Sequence, residues 1–207
     1  MYKINDWRDV SMEKYRIGTV NRITGETEID LIFNLDGSGE YSIDTGIPFF
    51  DHMLQLFTRH GVFDLTLKAK GDIAIDSHHT VEDIGICLGN ALQSALGDKM
   101  GINRYGSAIV PMDEALIMVA LDLSGRGYLA FDADLPMDQL GNFESELVAE
   151  FCRALAYNGA FNLHVRMLAG SNTHHIIEGI FKALARAIRE AVDPGRQGGL
   201  PSTKGVL

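Results

Sequence analysis

The sequence predicts an α+β fold made by internal duplication, each half a β-sheet with two helices packed on one face. Three observations carry this. A His-His-x-x-Glu motif occurs twice, as His78-His79-Thr80-Val81-Glu82 and His174-His175-Ile176-Ile177-Glu178, and takes four of the seven histidines. Each motif opens an apolar repeat of helical spacing: Val81, Ile84, Leu88, Leu92 in the first, Ile177, Ile180, Leu184, Ile188 in the second. Ahead of both lies a matching run, His60-Gly61-Val62-Phe63-Asp64-Leu65 against Asn158-Gly159-Ala160-Phe161-Asn162-Leu163, and the motifs follow with a two-residue difference confined to the hairpin turn.

Residues 1 to about 15 carry no clear pattern and fit either an arm on a neighbour or a loose end. Tyr15 to Thr24 and Thr27 to Leu35 are strand-like around the turn Thr24-Gly25-Glu26, and Asp36-Gly37 is a second hairpin signal. Tyr41 to Thr45 is a short third strand closed by Gly46 and Pro48. Phe49 to His60 places Phe50, Met53, Leu54 and Phe57 on one helical face, with Gly61 as the expected C-cap. Phe63 to Lys70 alternates as a strand, Gly71-Asp72 turns, and the first motif helix runs to a break at Gly97-Asp98. In the second half Ala108 to Leu123 and Gly127 to Ala133 are strand-like around Ser124-Gly125-Arg126. A helix from Ser145 to Tyr157, a strand from Leu163 to Met167 and the second motif helix to about Val192 complete the order.

At 207 residues the chain suffices for one compact domain, divided by the duplication into half-repeats 1–100 and 101–207. A net charge of -10 argues against a nucleic-acid partner. No apolar run reaches the ~18 residues of a membrane span, and no charged-then-apolar leader opens the chain. Both cysteines, Cys87 and Cys152, fall in apolar helical stretches, which suits buried thiols and a cytoplasmic location.

The motif spacing carries the chemistry. On a helix, residues three or four apart share a face, so His78 or His79 can join Glu82, and His174 or His175 can join Glu178, at one ion. Adjacent histidines diverge by roughly 100° and do not chelate the same ion. Two divergent imidazoles in each of two motifs point to two metal sites, each drawing on both copies. Imidazole with carboxylate suits zinc, manganese or iron. The register of the halves also pairs His52 with Glu150, either as two further ligands or with Glu150 as a solvated helix residue. His164, outside any motif, reads as structural.

The segment Thr45-Gly46-Ile47-Pro48-Phe49-Phe50-Asp51-His52-Met53-Leu54, the two motifs and the terminal Pro201-Ser202-Thr203-Lys204-Gly205-Val206-Leu207 resemble the imidazoleglycerol-phosphate dehydratases of histidine biosynthesis. The resemblance covers nearly the whole chain from about Tyr15. It implies ribosomal-protein-S5-domain-2-like repeats and the conversion of D-erythro-imidazole glycerol phosphate to imidazole acetol phosphate. It implies two Mn2+ per active site and a 24-subunit octahedral shell with sites between subunits. By position, His52, His78, His79, Glu82, Glu150, His174, His175 and Glu178 are the implied metal ligands; some members carry histidine where Glu150 stands. Glu26 matches an acid–base glutamate. Arg104, Arg126, Lys182, Ser202, Thr203 and Lys204 match phosphate and substrate contacts, and His52 and His60 lie in the substrate-binding segment. Relatives often carry proline where this chain has Gly127, a departure expected to loosen the loop holding Arg126.

This chemistry removes a proton from a carbon that no carbonyl acidifies. Binding the substrate imidazole as its anion between two ions lets the ring expel the adjacent hydroxyl, through a diazafulvene-like intermediate, with Glu26 as base or shuttle. Without the resemblance, Arg104 and Arg126 read as surface arginines, Lys182 as an ion-pair partner of Glu178, and the tail after Gly195 as a loose terminus. Two competitors stand beside the lyase: a hydrolase whose ions activate water, and a scaffold in which histidines staple subunits.

Overall fold

A computed structural model of the chain describes residues 16–195 and 199–203. The first half comprises β1 (Ile17–Ile23), β2 (Thr27–Asn34), β3 (Tyr41–Asp44), α1 (Pro48–Gly61), β4 (Asp64–Gly71) and α2 (His78–Leu96). The second comprises β5 (Tyr105–Met112), β6 (Ala115–Asp122), β7 (Tyr128–Asp132), α3 (Leu147–Asn158), β8 (Asn162–Ala169) and α4 (Thr173–Val192). The reading of residues 1–15 and the tail residue Lys204 lie outside the described residues.

The two sheets have one topology, β1-β2-β4-β3 and β5-β6-β8-β7. Three strands of each run antiparallel, while β3 lies parallel to β4 and β7 parallel to β8. A parallel neighbour needs a crossover, which α1 and α3 supply. In β2, Thr27, Ile29, Leu31 and Phe33 are buried, and in β6, Ala115, Ile117, Val119 and Leu121 are, the period of two that gives a sheet one apolar face. Those faces carry α2 and α4. The helices of one half then pack on those of the other, α2 on α3 and α1 on α4, closing one core between the sheets. Among the described residues no helix is long and apolar enough to cross a membrane.

The α2–α3 crossing is a backbone approach. A Cβ on Gly85 would stand 2.8 Å from the Cβ of Ala154, and one on Gly89 would stand 2.7 Å from the Leu155 carbonyl oxygen. A second pair of glycines marks the duplication: Cβ atoms on Gly18 and Gly106 would each lie 1.9 Å from a helix carbonyl, of Ala91 and Ala187 respectively.

Two expectations need correction. Gly61 is not the left-handed cap of α1; it closes the last helical turn, and Val62 takes φ 54°. Glycine is needed at 61 because the Phe63 ring folds back to within 2.1 Å of where its Cβ would sit. Gly159 and Phe161 repeat the arrangement at 2.7 Å, with Ala160 at φ 51°. The stretch from Ala108 to Leu123 is also not one strand. It is the β5–β6 hairpin, turning at Asp113, φ 48°, and Glu114.

Candidate metal centre

Both motifs sit at helix starts held by side chains. Asn172 caps α4 by accepting from the His175 N–H at 3.2 Å, and Asp76 accepts from the His78 N–H at 2.8 Å. The paired rings then diverge as the helix geometry requires: His78 and His79 stand at 82° and 6.3 Å between centroids, His174 and His175 at 83° and 6.1 Å. In each pair the first histidine faces its own glutamate, i to i+4.

Three donors from both halves converge at the start of α4. The Nε2 atoms of His174 and His52 lie 3.2 and 3.8 Å from Oε2 of Glu178, and the donor atoms all fall within 4.8 Å of one another. Phe49 sets an edge against the His174 ring at 5.3 Å. The other carboxylate oxygen of Glu178 takes the Lys182 ammonium at 2.6 Å. Burial pushes the Glu178 carboxyl up, but Lys182 and His174 together hold it below the usual glutamate value. Two imidazoles and an anionic carboxylate suit a divalent transition ion, so the donor set fits a bound metal.

The counterpart on α2 is more open. His78 Nε2 lies 3.9 Å from Glu82 Oε2, and Glu150, the counterpart of His52, pairs with Arg153 instead. Among the described residues only the group of His52, His174 and Glu178 gathers three donors.

The second histidine of each motif has a different partner. His79 Nδ1 lies 3.0 Å from Asp72 Oδ2 and 3.8 Å from Glu26 Oε2. His175 Nδ1 lies 2.8 Å from Glu114 Oε2, and its Nε2 is 3.7 Å from Asp113. Hydrogen bonds to Asp72 and Glu114 raise both imidazole pKa values. Glu114 is held down to about 2 by His175 and by backbone N–H groups of Asn172 and Ser171, at 2.8 and 3.2 Å. Asp72, Asp113 and Glu114 were not singled out in the sequence. Pairing Gly18 with Gly106 would have aligned Glu26 with Glu114 and exposed it.

The remaining candidates divide into separate places. Glu26 projects from the β1–β2 hairpin beside His79. His60 lies eight residues along α1 from His52, roughly 12 Å by helical rise, and lines a cavity of about 510 Å³ with Arg186 and Arg189. Arg104 is bound to Asp122 through Nε at 2.7 Å and Nη2 at 3.1 Å, and donates to the Pro201 carbonyl at 2.9 Å. With Ser202 and Thr203 it lines a cavity of about 460 Å³. Arg126 reaches the Ser124 carbonyl at 3.5 Å. The adjoining Gly127 is tightly seated, since a Cβ there would lie 2.6 Å from the Tyr157 Cα.

Fold and centre together define a class: a duplicated α+β enzyme whose imidazole and carboxylate metal donors come from both of its halves. Comparison with known proteins makes the class particular. The family described as imidazoleglycerol-phosphate dehydratase matches residues 45–188, and the chain belongs to that family. It is 62% identical to the imidazoleglycerol-phosphate dehydratase of Pelotomaculum thermopropionicum over 93% of this chain and 98% of the relative. It is 61% identical to that of Desulforudis audaxviator over the same shares. Among solved structures, the Staphylococcus aureus dehydratase superposes with a TM-score of 0.79 at 40% identity, covering 86% of this chain and 99% of that one. The Pyrococcus furiosus enzyme, in complex with (S)-C348, also gives 0.79, at 37% identity over 91% and 100%. The chain is thus a lyase of histidine biosynthesis that dehydrates imidazoleglycerol phosphate, and each half has the S5-domain-2-like form.

Proposed function

We propose that the dehydratase works with two Mn2+ per active site, completed between subunits of a 24-subunit octahedral shell in the cytoplasm. The observation that carries this is the convergence of His52, His174 and Glu178 while His79 and His175 take Asp72 and Glu114 as their partners. In this reading His52, His174 and Glu178 hold one ion, and His78, Glu82 and Glu150 hold the other. His79 and His175 complete ions on neighbouring subunits. Two free, buried cysteines support the reducing compartment.

Bound manganese supplies Lewis acidity that lowers the pKa of the substrate imidazole. The chain's residues do the rest. Glu26, on an exposed hairpin beside His79, takes the proton from the second chain carbon, next to the one that loses the hydroxyl, and a proton returned to the ring-bound carbon turns the resulting enol into the ketone. Arg104, Ser202 and Thr203, joined by Arg126, Lys182 and Lys204, hold the phosphate with cationic and hydroxyl donors. His60 flanks the substrate, and imidazole acetol phosphate leaves as product.

The test joins metal analysis to a dehydration assay. The expected result is two manganese ions per chain and formation of an enolisable ketone without phosphate release. Release of free phosphate instead would favour hydrolysis. Glu26→Gln is expected to keep the metal and the assembly while losing turnover. Chelation is expected to shrink the particle in light scattering, because ligands divided between chains tie subunits together; an unchanged size counts against shared sites.

A further inference from the structure

We infer that Asp72 and Glu114 are positioning residues of the metal centre, and that Asp72 relieves Glu26 of a task its counterpart Glu114 performs in the other half. The inference rests on the ligand assignment proposed above.

The halves correspond residue by residue around the hairpins. Gly18 on β1 and Gly106 on β5 meet the Ala91 and Ala187 carbonyls in the same way, which sets Glu26 opposite Glu114 in the two hairpins. Glu114 is fully engaged. It accepts from His175 Nδ1 at 2.8 Å and from the backbone N–H groups of Asn172 and Ser171. Three donors on one carboxylate fix it as an anchor.

In the first half the equivalent hydrogen bond to His79 comes from Asp72, at 3.0 Å, while Glu26 stands back at 3.8 Å. Asp72 lies in the turn after β4 and donates its own N–H to the Glu26 carbonyl at 3.1 Å, so it grips both the hairpin and the histidine. Aligning β4 with its counterpart β8 makes Gly170 the equivalent of Asp72, and glycine has no carboxylate to offer. The second half must therefore use its hairpin glutamate. The first half has one acid more than it needs, and the surplus is Glu26, whose side chain is 56% exposed against 39% for Glu114.

The chemistry of the contact defines the role. A neutral imidazole that donates Nδ1–H to a carboxylate keeps the lone pair on Nε2, with the ring plane fixed. Such outer partners typically account for 10–100-fold of metal affinity. Asp72 and Glu114 thus make Nε2 the ligating atom of His79 and His175. Glu26 keeps its carboxylate for the proton.

The experiment compares wild type with Asp72→Asn and Glu114→Gln, which preserve shape, and with Asp72→Ala and Asp72→Glu. Mn2+ affinity is read by chelator competition, with free Mn2+ followed by electron paramagnetic resonance. The expected result is roughly 10–100-fold weaker binding of one ion class in each isosteric variant. Asp72→Ala should in addition lower kcat with little change in KM, as Glu26 is drawn onto the vacated Nδ1, and Asp72→Glu should recover most of it. Wild-type affinity for both ions in both isosteric variants would overturn the inference while leaving the metal assignment standing. A wild-type protein that takes up no Mn2+ would overturn both.

Discussion

Glu178→Gln isolates the charge at the one place among the described residues where three donors already meet. Glutamine keeps the shape and can still accept from Lys182, but it removes the only anion among His52, His174 and Glu178. A direct ligand matters at least as much as the partners behind it, so Mn2+ affinity should fall by about 100-fold or more, roughly 2.8 kcal/mol at 1.4 kcal/mol per tenfold. The metal-free protein should weaken too. The Glu178 and Lys182 side chains are 9% and 16% exposed, and their ion pair at 2.6 Å becomes a bond from the ammonium to an uncharged amide, leaving the cation without its counter-charge. That costs about 1–2 kcal/mol, a fall of a few degrees in Tm for a chain of this size. Because the folded carboxyl lies below its ordinary 4.5, the pair contributes fully above that pH and fades as pH falls through the folded value. The stability gap between wild type and variant should therefore close below about pH 4.5. Chelator competition and metal-free melts from pH 3 to 8 measure both effects. Unchanged Mn2+ affinity in a folded Glu178→Gln protein would refute the assignment of this cluster as a metal centre.

Gly89→Ala should destabilise the fold by about 1–2 kcal/mol net, because a Cβ there strikes backbone atoms of α3 and outweighs the better helix propensity of alanine; thermal melts check it. Burial pushes the Cys87 thiol up to about 11 and that of Cys152 to about 12, so neither should react with a disulfide reagent at pH 8 before the chain unfolds. Rapid labelling of native protein would contradict their placement in the core. His60 is held below its usual 6.5 first by burial and then by Lys182 and Arg186. It should titrate low by NMR, and Arg186→Ala should raise its midpoint. Since the unfolded chain takes up this proton first, the stability linked to His60 is present above about pH 6.5 and declines on acidification.

The architecture was legible where two periodicities repeat. Helical spacing after each motif marks α2 and α4 to within a residue or two, and the Gly-x-Phe runs align the halves before any coordinates. The β5–β6 hairpin was not, because Met112-Asp113-Glu114-Ala115 turns without glycine, proline or asparagine and lets the alternation run on. Losing that turn hid Glu114 and with it half of the hydrogen bonding behind the histidines. Gly61 misled for another reason: sequence favours glycine where φ is positive, whereas here a folded-back ring claims its missing side chain. Asp72 read as an ordinary turn residue because nothing local tells that His79 lies above it. The i to i+4 choice within each motif was open between two histidines, and helix geometry at the caps decided it.

The meeting of α2 with α3 and α1 with α4 has a consequence for what a single polypeptide can do that a pair cannot. Either half alone would leave its helical layer uncovered, and two identical halves could cover one another only as mirror tasks about a twofold axis. Whatever one end carried, the other would carry as well. Joined in tandem, the halves share a closed interior yet are free to differ, histidine at 52 against glutamate at 150, aspartate at 72 against glycine at 170. That freedom turns a symmetric scaffold into one with an exposed acid, Glu26, at one end and a fully hydrogen-bonded one, Glu114, at the other.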